Sequence, residues 1–277
     1  MANLDLYANI GEKELAKKLQ ELQIDWQKSW DEYQKKHQNE TGADEFHPSI
    51  ILDGFYPNYL SQNPKILFIG RECYSLATDP DYIDVFVPRY QAGQHPNGSS
   101  LNQDRFHKLL LKIAYGITHG EEDFNQIPQP SDMCKENIFD LFSFAFMNLS
   151  KLSNESDRYA QTDWRLVHTS LKMSLQQERN FIFDEIKLLD PDLIITMNWG
   201  THCFDNEFEQ DRQTFRRIFG DQIDIKKDEW LKYTLSLGKK KVLLLDQWHF
   251  SARKNEKDDI YDPIYAEWKQ FKEEVRH

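Results

Sequence analysis

Cysteine is scarce: Cys73, Cys134 and Cys203 are the only three, far apart and with no CxxC pair. A structural zinc site or a four-thiolate iron–sulfur cluster needs more thiolates at closer spacing. Buried or incidental thiols are the ordinary reading of such cysteines in a reducing compartment. His202 and Cys203 are adjacent, but no further ligand follows at metal-binding spacing, so neither a metal nor a cofactor is called for. An excess of positive charge is missing too. Lys and Arg number 34 against 46 Asp and Glu, a formal net charge of −12. That removes the bulk basic field of a non-specific DNA binder and leaves DNA recognition to a local cleft. No apolar run reaches the roughly 18 to 20 residues that span a bilayer. The opening MANLDLYANIGEKEL lacks the basic-then-apolar order of a signal peptide, so the cytoplasm is the expected compartment. Neither a GxSxG elbow nor a GxxxxGK[ST] loop occurs, which leaves a hydrolase of the serine type or a P-loop enzyme without support.

Aromatics are plentiful. With 18 Phe, 12 Tyr and 7 Trp in 277 residues, the chain can bury a sizeable core and is not a disordered one. Leu15, Leu19, Leu22, Trp26 and Trp30 recur at steps of three and four, predicting a helix over 12–37 with its stripe docked on the domain. KILFIG (65–70) is an unbroken apolar run ending in Gly, as a buried strand is. Pro80, Pro88, Pro96, Gly93 and Gly98 predict a long loop over 76–102. Phe106, Leu109, Leu110, Ile113 and Ile117 predict a helix over 103–118. NIFDLFSFAFMN (137–148) reads as a second buried strand, 163–189 as helical up to Pro191, and DLIITM (192–197) as a third strand before a short helix at 200–208. WLKYTLSL (230–237) and KVLLLD (241–246) flank Gly238-Lys239-Lys240 and read as a hairpin, or as a strand pair in which the second enters the main sheet. A helix over 263–276 carries Ile264, Trp268, Phe271 and Val275 on one face. The expected organisation is one α/β domain over 1–277, with a helical extension and loop (1–63) before the core (64–277).

Three strands share one kind of ending. KILFIG runs into Arg71-Glu72-Cys73-Tyr74, the second strand into Asn148-Leu149-Ser150-Lys151, and KVLLLD into Gln247-Trp248-His249-Phe250-Ser251-Ala252-Arg253. Open α/β sheets bind ligands beyond the carboxyl ends of parallel strands, and buried strands that break into polar clusters fit such a rim.

These residues resemble the uracil-DNA glycosylase superfamily. GRECYS (70–75) is similar to the motif whose best-known form is Gly-Gln-Asp-Pro-Tyr-His, with Glu72 where that form has Asp and Cys73 where it has Pro. Asn148 and Lys151 look like the Asn-x-x-Lys of other branches, LLDPDLIITMNWGTHCF (188–204) is similar to the segment before the last motif, and His249-Phe250-Ser251 sits where His-Pro-Ser is expected. An earlier His47-Pro48-Ser49 precedes the first core strand and is set aside. The resemblance implies a three-layer α/β/α sandwich with a mostly parallel central sheet. It implies DNA as partner, excision of a damaged or deaminated base as activity, and no cofactor. Glu72 then falls where an acid positions water, and His249 where a donor meets the carbonyl that gains charge. Gly70, Tyr74, Phe86 and Asn148 fall at the base pocket: Tyr74 closes it, Phe86 stacks, and Asn148 reads the base edge. Ser251 and Arg253 fall on the loop that grips DNA phosphate. The residues also admit a second reading, a module that keeps the fold and binds nucleic acid or nucleotide without cleaving it. Each has an ordinary structural role open to it as well: Glu72 as an ion-pair partner, Asn148 as a turn or cap, His249 as a satisfied histidine, and Phe86 as packing.

Overall fold

The computed structural model describes residues 3–37, 49–76, 81–156, 162–175, 178–199, 213–224 and 232–275. The helix expected at 200–208, the His202–Cys203 pair and the His47-Pro48 dipeptide lie outside the described residues.

Among the described residues seven strands form one mixed sheet in the order β1-β3-β2-β4-β7-β6-β5. They are β1 (Gly54–Phe55), β2 (Ile66–Gly70), β3 (Ala145–Asn148), β4 (Leu193–Met197), β5 (Ile223–Asp224), β6 (Lys232–Leu237) and β7 (Lys240–Gln247). The central four, β3, β2, β4 and β7, run parallel. β1 closes one edge antiparallel, and β6 with β5 closes the other. β2 and β4 are therefore internal, as their unbroken apolar runs require. The predicted hairpin is β6–β7, with Leu237 opposite Lys240 and Gly238 at φ 61°, a left-handed turn position suited to glycine.

Helices cover both faces, giving three layers. Residues of β2 alternate: Ile66 and Phe68 face one core, Leu67 and Ile69 the other. The first core is covered by α2 (Tyr82–Ala92), α3 (Arg105–His119), the short α4 (Pro130–Met133) and α5 (Ile138–Leu141), and α9 (Asp262–Val275). The second is covered by α1 (Ile10–His37), α6 (Trp164–Ser174), α7 (Phe181–Leu189) and α8 (Gln213–Phe219). α1 lays Leu15, Leu19, Leu22 and Trp26 into this second core, as its spacing predicts. Trp26 is fully buried, and its indole N–H points at Met173 Sδ (2.9 Å) and Ser174 Oγ (3.1 Å). The stripe makes α1 a member of the helical layer, packed on α6 and α7.

Three expectations need correction. The proline-rich segment 76–102 contains α2, eleven residues long, with Pro88 inside it. Asp81 caps its start by accepting from Asp84 N–H, Gly93 ends it at φ 67°, and Tyr82, Ile83, Phe86, Val87 and Tyr90 form its buried face. That apolar stripe outweighs the single hydrogen bond the proline forfeits. The 137–148 run divides into α5 and β3, because an apolar run has no period to separate helix from strand. The helical region 163–189 is two helices, the second restarted by the Asn180 side chain accepting from Phe183 N–H.

The connections fix where a ligand can sit. From β2 the chain passes through α2 and α3 on one face to β3, then through α6 and α7 on the other face to β4, on β2's far side. β2 is thus the point where strand order reverses, the place where open α/β sheets leave a crevice at their carboxyl edge. Among the described residues no helix is long and apolar enough to cross a membrane.

Candidate active site

The carboxyl ends of β2 and β3 and the loop after β7 meet at a cavity of about 440 Å³. That is within the size of small-molecule sites, roughly 300 to 1,000 Å³. Gly70, Glu72, Tyr74, Phe86, Asn148, His249 and Ser251 all line it. Arg253 does not; it is exposed four residues beyond His249 on the same loop.

Asn148 ends β3 beside Gly70, with which it is in register. A Cβ on Gly70 would lie 2.7 Å from Asn148 Oδ1 and 3.1 Å from Phe146, so only glycine leaves the carboxamide its place. The Asn148 backbone N–H donates to Asp53 Oδ2 at 2.6 Å. Its side-chain nitrogen is buried without a regular hydrogen bond among the described residues, though it lies close enough to Asp53 to favour that residue's charged form. Behind it is a sealed cluster that the sequence did not disclose. Lys151 Nζ reaches Asp53 Oδ2 at 2.5 Å and Glu185 Oε2 at 2.8 Å, all three side chains being at most 1% exposed. Burial pushes both carboxyls up against the pull of Lys151. Desolvation works against the ammonium, but the two carboxylates outweigh it and raise its pKa. Lys151, the last residue of the Asn-x-x-Lys resemblance, is a core residue.

Glu72 follows β2 and is held from outside the sheet. Its Oε1 accepts from Asp163 N–H at 2.9 Å and from Asn154 Nδ2 at 3.3 Å. Oε2 is buried without a regular hydrogen bond among the described residues, and the Tyr74 phenol also interacts with the carboxylate. Burial raises the Glu72 pKa despite these donors. It is not an ion-pair partner of Arg71. The Arg71 guanidinium instead donates from Nε to Met197 O at 2.9 Å and from Nη1 to Thr162 Oγ1 at 3.3 Å.

His249 is oriented by its own loop. Ser251 N–H points at Nδ1 (3.3 Å), and the Ser251 hydroxyl lies 2.6 Å from the same atom. A backbone N–H can only donate, so Nδ1 carries the lone pair and the proton sits on Nε2. Burial, helped by the Arg71 charge, lowers its pKa from 6.5 to about 4. At neutral pH the ring is therefore an uncharged N–H donor. Ser251, expected at DNA phosphate, has this orienting contact besides its place in the wall.

The aromatic wall is larger than the sequence reading made it. Phe146, Tyr82 and Phe86 form a stack, with centroids 4.5 Å and 4.4 Å apart. Phe86 is also stacked by the His107 ring at 4.7 Å, so it is a packed member of the column. Phe106 lies between the two imidazoles, 5.1 Å from His107 and 5.5 Å from His249. His107 bonds Tyr90 OH through Nδ1 at 2.8 Å, and burial lowers its pKa to about 4. Tyr82, Arg89, Phe106, His107 and Phe146 all line the cavity, and none was singled out from the sequence. The available signal was the 82, 86, 90 spacing of aromatics, hidden by Pro88.

The site offers flat apolar walls, an uncharged donor, a carboxamide and a partly desolvated carboxyl on one side of the sheet. Cys73 is no nucleophile here, because burial holds its thiol far above the usual range. Among the described residues no group of three or more His, Cys, Asp or Glu is placed to hold a metal ion. Comparison with protein-family models and with curated proteins finds no match.

Proposed function

We propose that the cavity takes a nucleobase and that the protein hydrolyses the N-glycosidic bond of a damaged or deaminated base in DNA, in the manner of uracil-DNA glycosylases. The observation that carries this reading is the convergence of Glu72, Asn148 and His249 on one aromatic-walled cavity, with His249 neutral and its Nε2 proton available. A flipped base is held by its faces and read along its edge, which suits the Phe146 wall and the Asn148 carboxamide. As the C1′–N bond breaks, its electron pair passes to the base and charge grows on a carbonyl oxygen. A neutral imidazole N–H hydrogen-bonds that oxygen without giving up its proton. Water attacks C1′, and Glu72 orients it and takes its proton, a task suited to a carboxyl raised above its ordinary range.

One observation favours the module that binds without cleaving. Glu72 Oε1 is already engaged by Asp163 and Asn154, and a desolvated carboxyl is a weak partner for a sugar cation. One assay separates the two. Oligonucleotides carrying uracil, hypoxanthine or xanthine are incubated with wild type and His249→Ala, and base release is read by alkaline cleavage. The expected result is release by wild type and a loss of about 100- to 1,000-fold in the variant, the usual cost of an oxyanion donor. Wild-type protein that binds these strands and releases nothing is the binding module. Protein that does neither overturns the proposal.

A further inference from the structure

We propose that Arg89 is the anion-recognition residue of this cavity, so that the full ligand carries a phosphate as well as a base. The inference rests on the base-binding reading above and adds the other half of the ligand. Arg89 lines the main cavity and also a second, more open one of about 450 Å³, bordered by Gln94, His95 and Gly98; it is the residue the two share. Its guanidinium carbon sits 4.5 Å from the centroid of Phe86, which is itself in the cavity wall. A cation–π contact of this kind uses none of the guanidinium's hydrogen-bond donors.

Among the described residues no carboxylate, carbonyl or hydroxyl is paired with the Arg89 guanidinium. The contrast is with the other arginine of the wall, Arg71, which is tied to Met197 O and Thr162 Oγ1. The neighbouring cations of α3 are also spent, Arg105 and Lys108 both pairing with Glu256 at 2.9 Å and 2.7 Å. In the second cavity His95 is taken by Asp104 at 3.0 Å. A half-buried planar cation that rests against an aromatic ring, with no hydrogen-bond partner among the described residues, matches two oxygens of a phosphate ester. The phosphate of a mononucleotide and that of a nucleic-acid strand share this chemistry.

Calorimetric binding to the intact protein tests the assignment with deoxyuridine, deoxyuridine 5′-monophosphate, inorganic phosphate and a single-stranded oligonucleotide carrying one deoxyuridine. Wild type should bind the monophosphate or the oligonucleotide at least about tenfold more tightly than the nucleoside, as a charge-assisted pair gives. Arg89→Gln should erase that advantage and leave nucleoside affinity within about twofold, while Arg89→Lys should restore part of it. Preference for the oligonucleotide identifies a strand, and preference for the monophosphate identifies a free nucleotide. If deoxyuridine does not bind but phosphate and the monophosphate do, and both are lost in Arg89→Gln, the base reading fails and the Arg89 assignment stands. Equal weakening of nucleoside and nucleotide by Arg89→Gln would make Arg89 a wall residue and overturn the proposal. So would wild-type protein that binds none of the phosphorylated probes.

Discussion

Two polar clusters stand back to back at the carboxyl edge of this sheet, joined by Asn148. On one side Asp53, Lys151 and Glu185 form a sealed set, with the ammonium bonded to both carboxylates and nothing reaching solvent. On the other, Glu72, Asn148 and His249 line a cavity, with Glu72 Oε2 and Asn148 Nδ2 lacking regular hydrogen bonds among the described residues. Both clusters desolvate ionisable groups. They differ in what the groups are aimed at. The sealed set satisfies its ammonium internally and fixes the backbone of Asn148 through Asp53. The open set instead lines a cavity that a ligand can fill, whereas the oxygens of the sealed set left unpartnered among the described residues, Asp53 Oδ1 and Glu185 Oε1, belong to residues outside that cavity's wall. Perturbed acids therefore do not by themselves mark an active site; here the sealed set has them too.

The largest effect should come from breaking the sealed set. Lys151→Met leaves two carboxyls in the core without their counter-charge, and should cost about 3 to 5 kcal/mol of stability in a denaturant titration. A loss under about 1 kcal/mol would mean that the ammonium does not hold the cluster together. A smaller effect belongs to the open set and to pH. The folded state holds His249 neutral, with its pKa lowered from 6.5 to about 4. Its stabilisation is complete above the unfolded pKa and is lost as pH falls through that interval, because the unfolded chain takes the proton first. Wild type should lose on the order of 2 kcal/mol relative to His249→Gln between pH 7 and pH 4, discounted for partial exposure. A pH-independent difference between the two proteins would contradict the assignment. The smallest effect should be Glu72→Gln. Its carboxyl pKa is already raised, so the neutral isostere should change stability by less than about 1 kcal/mol. If the glycosylase reading is right, base release should nevertheless fall, since Gln cannot accept the proton from water.

The same contrast explains what could be read from the sequence. β2 and β4 were legible because a strand buried on both faces must be an apolar run, and the site's acid, amide and imidazole were legible as the polar endings of such strands. Phe106, His107 and Phe146 were not, since an aromatic at helical or strand spacing looks the same whether it faces a core or a cavity. Arg89 was hidden for a different reason. Pro88 marked its segment as a loop, and nothing local announces that an arginine will have no hydrogen-bond partner among the described residues. The sealed set is assembled from positions 53, 151 and 185, a tertiary coincidence with no local pattern. The hold on Glu72 by Asn154 and Asp163 is of the same kind. Asn148 and Lys151 stand three residues apart in one motif, yet they point into different clusters; motif spacing told nothing of that division.

The central claim is that the open cluster, and not the sealed one, receives a nucleobase. The most direct measurement is a nuclear magnetic resonance titration of isotope-labelled wild-type protein with uracil, hypoxanthine and xanthine in turn, following the His249 ring, the Asn148 carboxamide and the Lys151 ammonium. For at least one base, the His249 and Asn148 signals should move along a single saturation curve while Lys151 stays fixed. If none of the three bases moves His249 or Asn148, or if Lys151 responds as strongly as they do, the cavity is not the nucleobase site described here.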